Sequence, residues 1–451
     1  MKSLFLAILA GLAALSAVAW RIQPPPAPPG KIPLVWASDD NPTRRDQMAL
    51  FRQLHPLYDL RLDPNTLGME KVIVQSLAGV GPDLFDCYDG FQLSAYVTSG
   101  LAWDVTDRFR QLGIDVKRAV WPATHPNILH DGRVYGFPTN AAADAIWFHK
   151  DLFRAEGVPF PRGPWRWDQF LETARRMIKR DARGRIVRYG LMADWDQQWQ
   201  QFVVQWGGRI YTPDGTRCIV DSPEAVAGVQ FFQDLIYRHK VMPGPVEEAA
   251  MASQGGWGAG AMTLFGAKKG AMALGGRWWL NLLRSYEGLH LGACEAPHAV
   301  RRVFRGYGRA TLVNSHSPRR EHAFQFLRYM AGEPYNRLVN HQADAVSPVI
   351  RFAYTPEFLH DPDYPEEDYN EVWREALARA IPTEVSPFVN GQRAQRILKK
   401  QLDQVRANVK RPADALRDAA RQINQEIRET VRGNPSLRAR YEALTRGRSA
   451  P

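Results

Sequence analysis

The chain has 451 residues, 45% hydrophobic and 23% charged, with 11% aromatic residues including 14 Trp. That exceeds the ~250–300 residues at which a single core stops growing, and the composition excludes a disordered or low-complexity protein. The net charge is +11, but fifteen Lys or Arg against six Asp or Glu fall between Arg393 and Arg448, with Tyr441 the single aromatic among them; a nucleic-acid groove would interleave several, so the excess reads as a solvated basic face or one turned to an anionic membrane or membrane partner.

Residues 1–19 read as a signal peptide: Lys2 is the positive start, Leu4 to Ala19 is almost wholly apolar, and Ala17-Val18-Ala19 is a small-x-small cleavage pattern. An uncleaved membrane anchor is the competing reading, because the run is at the short edge of what spans a bilayer. Residues 20–30 are a Pro-rich linker, and no Cys follows the apolar run to carry a lipid. The chain is expected to work outside the cytoplasm, in the periplasm or an equivalent space.

The mature part opens with a strand, Ile32 to Ala37, then Ser38-Asp39-Asp40, and Asn41-Pro42 caps a helix carrying Met48, Phe51 and Leu54. A helix over Met69 to Ala78 ends at Gly79, and Pro82 to Asp86 reads as the next buried strand. Beyond Tyr135-Gly136-Phe137-Pro138 the pattern restarts with a strand at Ala145 to Phe148, a helix at His149 to Glu156 stopped by Gly157, and a helix at Asp168 to Ile178. Asp221-Ser222-Pro223-Glu224 starts another helix. Strands follow at Ala271 to Leu274, Leu289 to Ala293 and Ala310 to Asn314, the last before a helix capped by Ser317-Pro318. From Gly391 the chain is mostly helical. Alternating strands and helices predict an α/β protein, here in two lobes. Cys87, Cys218 and Cys294 are far apart with no CxxC, and read as small buried residues rather than a zinc or redox site.

Five segments in order resemble the bacterial extracellular solute-binding proteins of the maltose-binding type, family 1. They are Gly81-Pro82-Asp83-Leu84-Phe85; Gly132-Arg133-Val134-Tyr135-Gly136-Phe137-Pro138; Phe148-His149-Lys150-Asp151-Leu152-Phe153; Trp167-Asp168-Gln169-Phe170; and Gly270-Ala271-Met272-Ala273-Leu274-Gly275-Gly276-Arg277-Trp278. The likeness runs from about Lys31 to Arg432. Arg166 stands where the family has a capping Thr, and His149 where it has Asn. The resemblance implies a two-lobed, type II periplasmic-binding clamp with a hinge between the lobes. Lobe I would take residues 31–140 and 306–342, lobe II 141–305 and 343–432, with 433–451 a basic tail. It also implies capture of a mono- or oligosaccharide for the permease subunits of an ABC importer, by a monomer with no cofactor, no metal and no catalysis.

A sugar needs flat rings for its C–H face and fixed polar side chains for its hydroxyls. Asp39 and Asp40 follow the first strand, and Tyr88 and Asp89 the second, where open α/β sheets place ligands. Asn140 and Asp344 fall at expected hinge crossings. Trp195 is read as preceding its helix, and Trp257 sits in a Gly-rich stretch. Arg277 and Trp278 follow the strand ending at Gly275-Gly276, with Trp278 the family's ring in the cleft, and Tyr307 falls at a small-residue turn of the hinge. The alternative cargo for the same clamp is a polyamine, a glycerophosphodiester or a metal chelate. An exported carbohydrate-active hydrolase would need a pair of carboxyl groups that no context singles out. GxxxxGK[ST], a GxGxxG placed between strand and helix, HExxH and GxSxG are all absent, which leaves nucleotide-using, zinc-protease and esterase readings without a motif.

Overall fold

A computed structural model describes residues 9–12, 15–16, 26–64, 68–251 and 260–446. Most of the expected signal peptide, and Trp257, lie outside the described residues. Among those described, no helix is long and apolar enough to cross a membrane.

Two mixed sheets form the frame. The first is ordered β13 (Ala380–Pro382), β12 (Phe304–Val313), β3 (Leu84–Cys87), β1 (Ile32–Ala37), β2 (Tyr58–Asp63), with β6 (Gly136–Ala143) also paired to β12. The second is ordered β11 (Leu291–Cys294), β7 (Ala145–His149), β10 (Gly270–Gly275), β9 (Ile186–Ala193), β8 (Lys179–Arg180). A two-residue hairpin joins β4 (Leu129–His130) to β5 (Arg133–Val134), with Asp131 and Gly132 both at positive φ as a primed turn requires. Helices cover the sheets, so β3, β7 and β10 are buried along their whole length and read as continuous rather than alternating runs.

Each sheet has its own core. Trp36, Phe51, Phe85, Phe109 and Phe326 belong to the first; Trp147, Phe170, Phe202, Phe232 and Trp373 belong to the second. The long strands β6 and β12 run between them as an antiparallel ribbon. Phe137, Ala310 and Leu312 are buried in the first core, while Ala141, Ala143 and Phe304 are buried in the second. A third crossing follows, where Ala141 and Val346 exchange two backbone hydrogen bonds of 2.9 Å. There the chain interweaves: Val349 and Phe352 join the first core, Val346 and Ala353 the second.

Several elements differ from expectation. The last expected strand begins at Phe304 rather than Ala310, because its first half belongs to the crossing ribbon. The helix expected from Ser317-Pro318 begins at Arg320; the Ser317 hydroxyl instead donates to Asp83 at 2.5 Å and accepts from the Arg319 amide. The C-terminal segment also does more than form a tail: Leu437 and Tyr441, on the helix Pro435–Thr445, pack on the second core. The three cysteines are buried and free.

Candidate functional site

The ribbon positions the site. Side chains alternate along a strand, so Arg305, Tyr307 and Arg309 of β12 share one face, next to Asn140 and Ala142 of β6 and Asp144 just beyond it. The other face carries Gly306 and Gly308. A Cβ on Gly306 would sit 2.3 Å from the Ala123 Cβ, and one on Gly308 would sit 3.1 Å from the Thr124 methyl, so glycine lets the turn Pro122–Asn127 lie flat on the ribbon. The Arg-Gly-Tyr-Gly-Arg run at 305–309 thus separates a close-packed face from a polar one.

At the first-lobe end of the polar face, Arg309 gathers the C-terminal ends of β1 and β3. Its Nη1 donates to Ser38 Oγ at 3.0 Å and to the Asp39 carboxylate, and lies 3.2 Å from Asp86 Oδ2. Its Nε donates to Thr139 Oγ1 at 3.0 Å. Burial would raise the Asp39 pKa, but the guanidiniums of Arg309 and Arg44 outweigh it and hold the carboxyl at about 2. Asp86 also accepts from Trp36 Nε1 and Thr311 Oγ1, both at 2.9 Å, yet burial dominates and its pKa is raised. Asn140 links this group to Asp344: its Nδ2 donates to Asp344 at 3.1 Å and its Oδ1 accepts from the Arg309 amide at 3.0 Å. Asp344 is in turn held by Arg44 at 2.5 Å and Gln47 at 3.1 Å.

At the second-lobe end, Tyr307 donates to Asp144 Oδ1 at 2.8 Å and accepts from Trp278 Nε1 at 3.0 Å. Arg305 lies over the Tyr307 ring at 4.2 Å and 3.6 Å from Asp144 Oδ2. Trp278 remains partly exposed beside these groups. Tyr88, 46% exposed, stands at the rim of a cavity of about 170 Å³ whose walls include Ala37, Asp86, Phe91 and, from beyond the third crossing, Gln392.

The structure therefore brings Asp39, Asn140 and Asp344 into one connected polar network, with Tyr88 beside it, and Tyr307 and Trp278 into a second network further along the same face of the ribbon. Four expected residues do other work. Asp40 is turned outward and paired bidentately with Arg45 at 2.8 Å. Asp89 caps the helix Gly90–Thr98, accepting from Phe91 and Gln92 amides at 3.1 Å; burial raises its pKa to about 6. Arg277 is a buried structural clamp, donating to Asn370 Oδ1 at 2.7 Å and to the carbonyls of Asn340 and Ala345 at 2.9 and 2.8 Å. Trp195 does not precede its helix: Asp194 is the cap, and Trp195 is the first helical residue, 1% exposed and stacked on Phe232 at 4.5 Å. An aromatic just after a capping Asp points inward onto its own lobe. Arg44, Asp86, Asp144, Arg305 and Arg309 were missed; the alternation of 305–309 was the available signal.

Among the described residues, one grouping offers three metal-ligating atoms, His341 with Asp361 and Asp363. His341 Nδ1 already pairs with Asp361 at 3.0 Å, and no second feature points to an ion there.

The sequence pattern of the family described as bacterial extracellular solute-binding protein matches residues 49–337. An arabinooligosaccharide-binding protein of Halalkalibacterium halodurans is 27% identical over 111 residues, 25% of this chain and 24% of that protein, so the match spans about a quarter of the curated relative's length. An ABC substrate-binding protein of Listeria monocytogenes in complex with cycloalternan superimposes with a TM-score of 0.74 at 19% identity, over 88% of this chain and 98% of that one. A Mycobacterium tuberculosis protein in complex with glycerophosphocholine gives a TM-score of 0.72 at 16% identity, over 89% and 99% of the two chains. These structural likenesses establish the two-lobed fold.

Proposed function

This chain belongs to the bacterial extracellular solute-binding protein family, and we propose that it is exported, as a monomer, to capture a mono- or oligosaccharide between its lobes for the permease of an ABC importer. The lobes of this reading are residues 31–140 with 306–342, and 141–305 with 343–432. The observation that carries it is the polar face of the ribbon beside Trp278. A flat ring adjoins fixed carboxylates, amides and guanidiniums, the combination that a sugar's apolar face and hydroxyl rim call for. The ribbon also links the two cores, so a ligand held on it touches the element about which closure would turn.

The charges favour a neutral cargo over a glycerophosphodiester. Along the face, the carboxylates of Asp39, Asp86, Asp144 and Asp344 meet only the guanidiniums of Arg44, Arg305 and Arg309, and Arg277 is spent on carbonyls. An added phosphate would enter a site where four carboxylates face three guanidiniums, each already paired with a carboxylate. Catalysis by a carboxyl pair is disfavoured for a related reason: Asp39, Asp86 and Asp344 are each tied to a guanidinium rather than free for acid–base work.

A thermal-shift panel of maltose, maltotriose, arabinotriose, sorbitol, spermidine and glycerophosphocholine tests this. A saccharide at a hundred times its Kd should add ~2.7 kcal/mol of stability. A shift with spermidine or glycerophosphocholine and with no saccharide would sink the sugar assignment.

A further inference from the structure

The parallel strands β1, β2 and β3 turn their C-terminal ends toward the site, where Asp39, Asp86 and Tyr88 stand, and their N-terminal ends toward the opposite edge of the sheet. That edge is the base of the first lobe. The helices Pro42–Leu54 and Met69–Leu77 both run back to it, so their last residues and the turns before β2 and β3 fall there. Strand β12 is antiparallel to β3 and also ends at the base, where the Trp103 amide donates to the Val313 carbonyl at 3.0 Å.

The base is apolar. Residues 26–140 expose seven large apolar side chains, and five of them lie here: Leu54 and Leu57 at 45% and 50%, and Val74, Leu77 and Val80 at 65%, 60% and 73%. Val74 and Leu77 are three apart on the outer face of a helix whose Val72 and Ser76 are buried. Scattered singly, such side chains need no explanation; gathered at one edge they mark an interaction surface. Trp103, half-buried, joins them, with the guanidiniums of Arg108 and Arg320 over its ring at 4.1 and 5.3 Å. The carboxylates at this edge are all engaged: Asp59 by Arg61, Asp83 by Arg319, Asp104 by Arg133 and Glu321 by Arg108. Arg52 and Arg320 donate to the carbonyls of Leu60 and Ser315 instead, and among the described residues no carboxylate pairs with them or with Lys31. The apolar patch is thus edged by net positive charge.

The chain enters the fold at this same edge. Ahead of β1, the Lys31 amide donates to the Pro28 carbonyl at 3.1 Å, and Arg61, paired with Asp59, donates to the Pro26 carbonyl at 3.0 Å. Before Pro26 stands the apolar run Leu4 to Ala19, with only residues 20–25 between. A linker of that length, fully extended, reaches about 20 Å. With the run inserted in a bilayer, the base lies no further than that from lipid.

We propose that the base of the first lobe rests on an anionic lipid bilayer, with Leu4 to Ala19 retained beside it as the membrane anchor. The apolar side chains enter the headgroup boundary, Trp103 sits at the interface, and Lys31, Arg52 and Arg320 meet lipid phosphates. One short inserted run and one basic, apolar face hold together better than either alone. The site, at the other end of the strands, faces away from the membrane and stays open to solute. The proposal is independent of the cargo, so its failure leaves the solute-binding reading untouched.

The full chain is reconstituted into vesicles of equal parts phosphatidylcholine and phosphatidylglycerol, carrying a polarity-sensitive fluorophore on Leu77→Cys or, as a control on the C-terminal helices, on Val409→Cys, a residue 74% exposed. The three native cysteines are buried, so the new thiol takes the label. The label at 77 should shift to the blue and be quenched at least threefold by nitroxide-bearing lipid, while the label at 409 does neither. Lys31→Glu with Arg320→Glu, or vesicles of phosphatidylcholine alone, should remove at least half of that quenching. Melting temperatures report folding, and Val80→Cys takes the place of Leu77→Cys if that variant fails to fold. A label at 77 as exposed in vesicles as in detergent, or quenched no more than the label at 409, leaves a tether only and overturns the lipid-facing base. Shielding of the label at 77 without nitroxide quenching, together with cross-linked dimers, assigns the face to a second copy of the chain and overturns it as well.

Discussion

Arg44 and Asp344, three hundred residues apart in the chain, form a buried ion pair of 2.5 Å, with each side chain only 5% exposed. It fastens the first helix of one lobe to the third crossing between lobes. Asn140 of the ribbon donates to the same carboxylate, so one acid ties a helix and two crossings together. Arg44 and Arg309 lower the Asp344 pKa in spite of its burial.

Removing one partner of such a pair leaves an uncompensated buried charge. Arg44→Met is expected to lower unfolding stability by about 3 kcal/mol, the range found when buried pairs are broken. Adding Asp344→Asn removes the stranded charge, so the double variant should be more stable than Arg44→Met alone. Urea unfolding midpoints of Arg44→Met, Asp344→Asn and the double variant measure this; a double variant that loses as much as the two single losses together, or more, contradicts the pairing.

Gly306 is expected to tolerate no side chain. In Gly306→Ala the new methyl would lie 2.3 Å from the Ala123 Cβ and 2.8 Å from the Ala380 Cβ. Overpacking of this kind costs about 1–3 kcal/mol. Because the ribbon also carries Tyr307 and Arg309, saccharide affinity should fall with the melting temperature. An unchanged melting temperature would contradict the close packing described.

His149 is fully buried, stacked on Phe265 at 4.1 Å and bonded through Nε2 to the Phe265 carbonyl at 2.9 Å. Burial lowers its pKa from 6.5 to about 4. The native state thus favours the neutral ring, and the unfolded chain takes up the proton first as the pH falls. The stability this group confers is complete above pH 6.5, declines as the pH falls from there and is lost below about 4, amounting at most to about 3 kcal/mol. His149→Gln, which can still donate to Phe265, should flatten that decline; parallel stability curves between pH 7 and 4 would contradict it.

Trp278 should behave as both ring and donor. Trp278→Phe keeps an aromatic face and loses the bond to Tyr307, and is expected to weaken saccharide binding about threefold, within the net worth of a single hydrogen bond. Trp278→Ala loses the face as well and should weaken it more than tenfold. Equal affinities for all three proteins would remove Trp278 from the site.

Much of this was legible in the sequence. The first strand spans Ile32–Ala37 as expected, and Asn41 caps its helix by accepting from the Arg44 amide. Local chemistry sets both. The acids at strand ends were harder to sort, since Asp39, Asp40 and Asp89 look alike in sequence; their fates depend on whether a guanidinium, a surface arginine or a helix start lies nearest, which only the fold decides. Arg277 differs from expectation for the same reason: a charge beside a cleft tryptophan suggests a ligand, but the carbonyls of Asn340 and Ala345 claim it. The ribbon was expected only as hinge crossings and not as paired strands, because the middle of β12 carries Gly306 and Gly308 rather than apolar residues on its packed face. A Gly-x-Gly alternation with charged neighbours signals close approach on one side and a polar surface on the other.

The measurement that bears most directly on the central claim is calorimetric titration of the purified protein with a panel of neutral saccharides, spermidine and glycerophosphocholine. The account predicts one saccharide bound per chain with micromolar or tighter affinity and no binding of glycerophosphocholine. Binding of glycerophosphocholine or spermidine with no saccharide bound would contradict it.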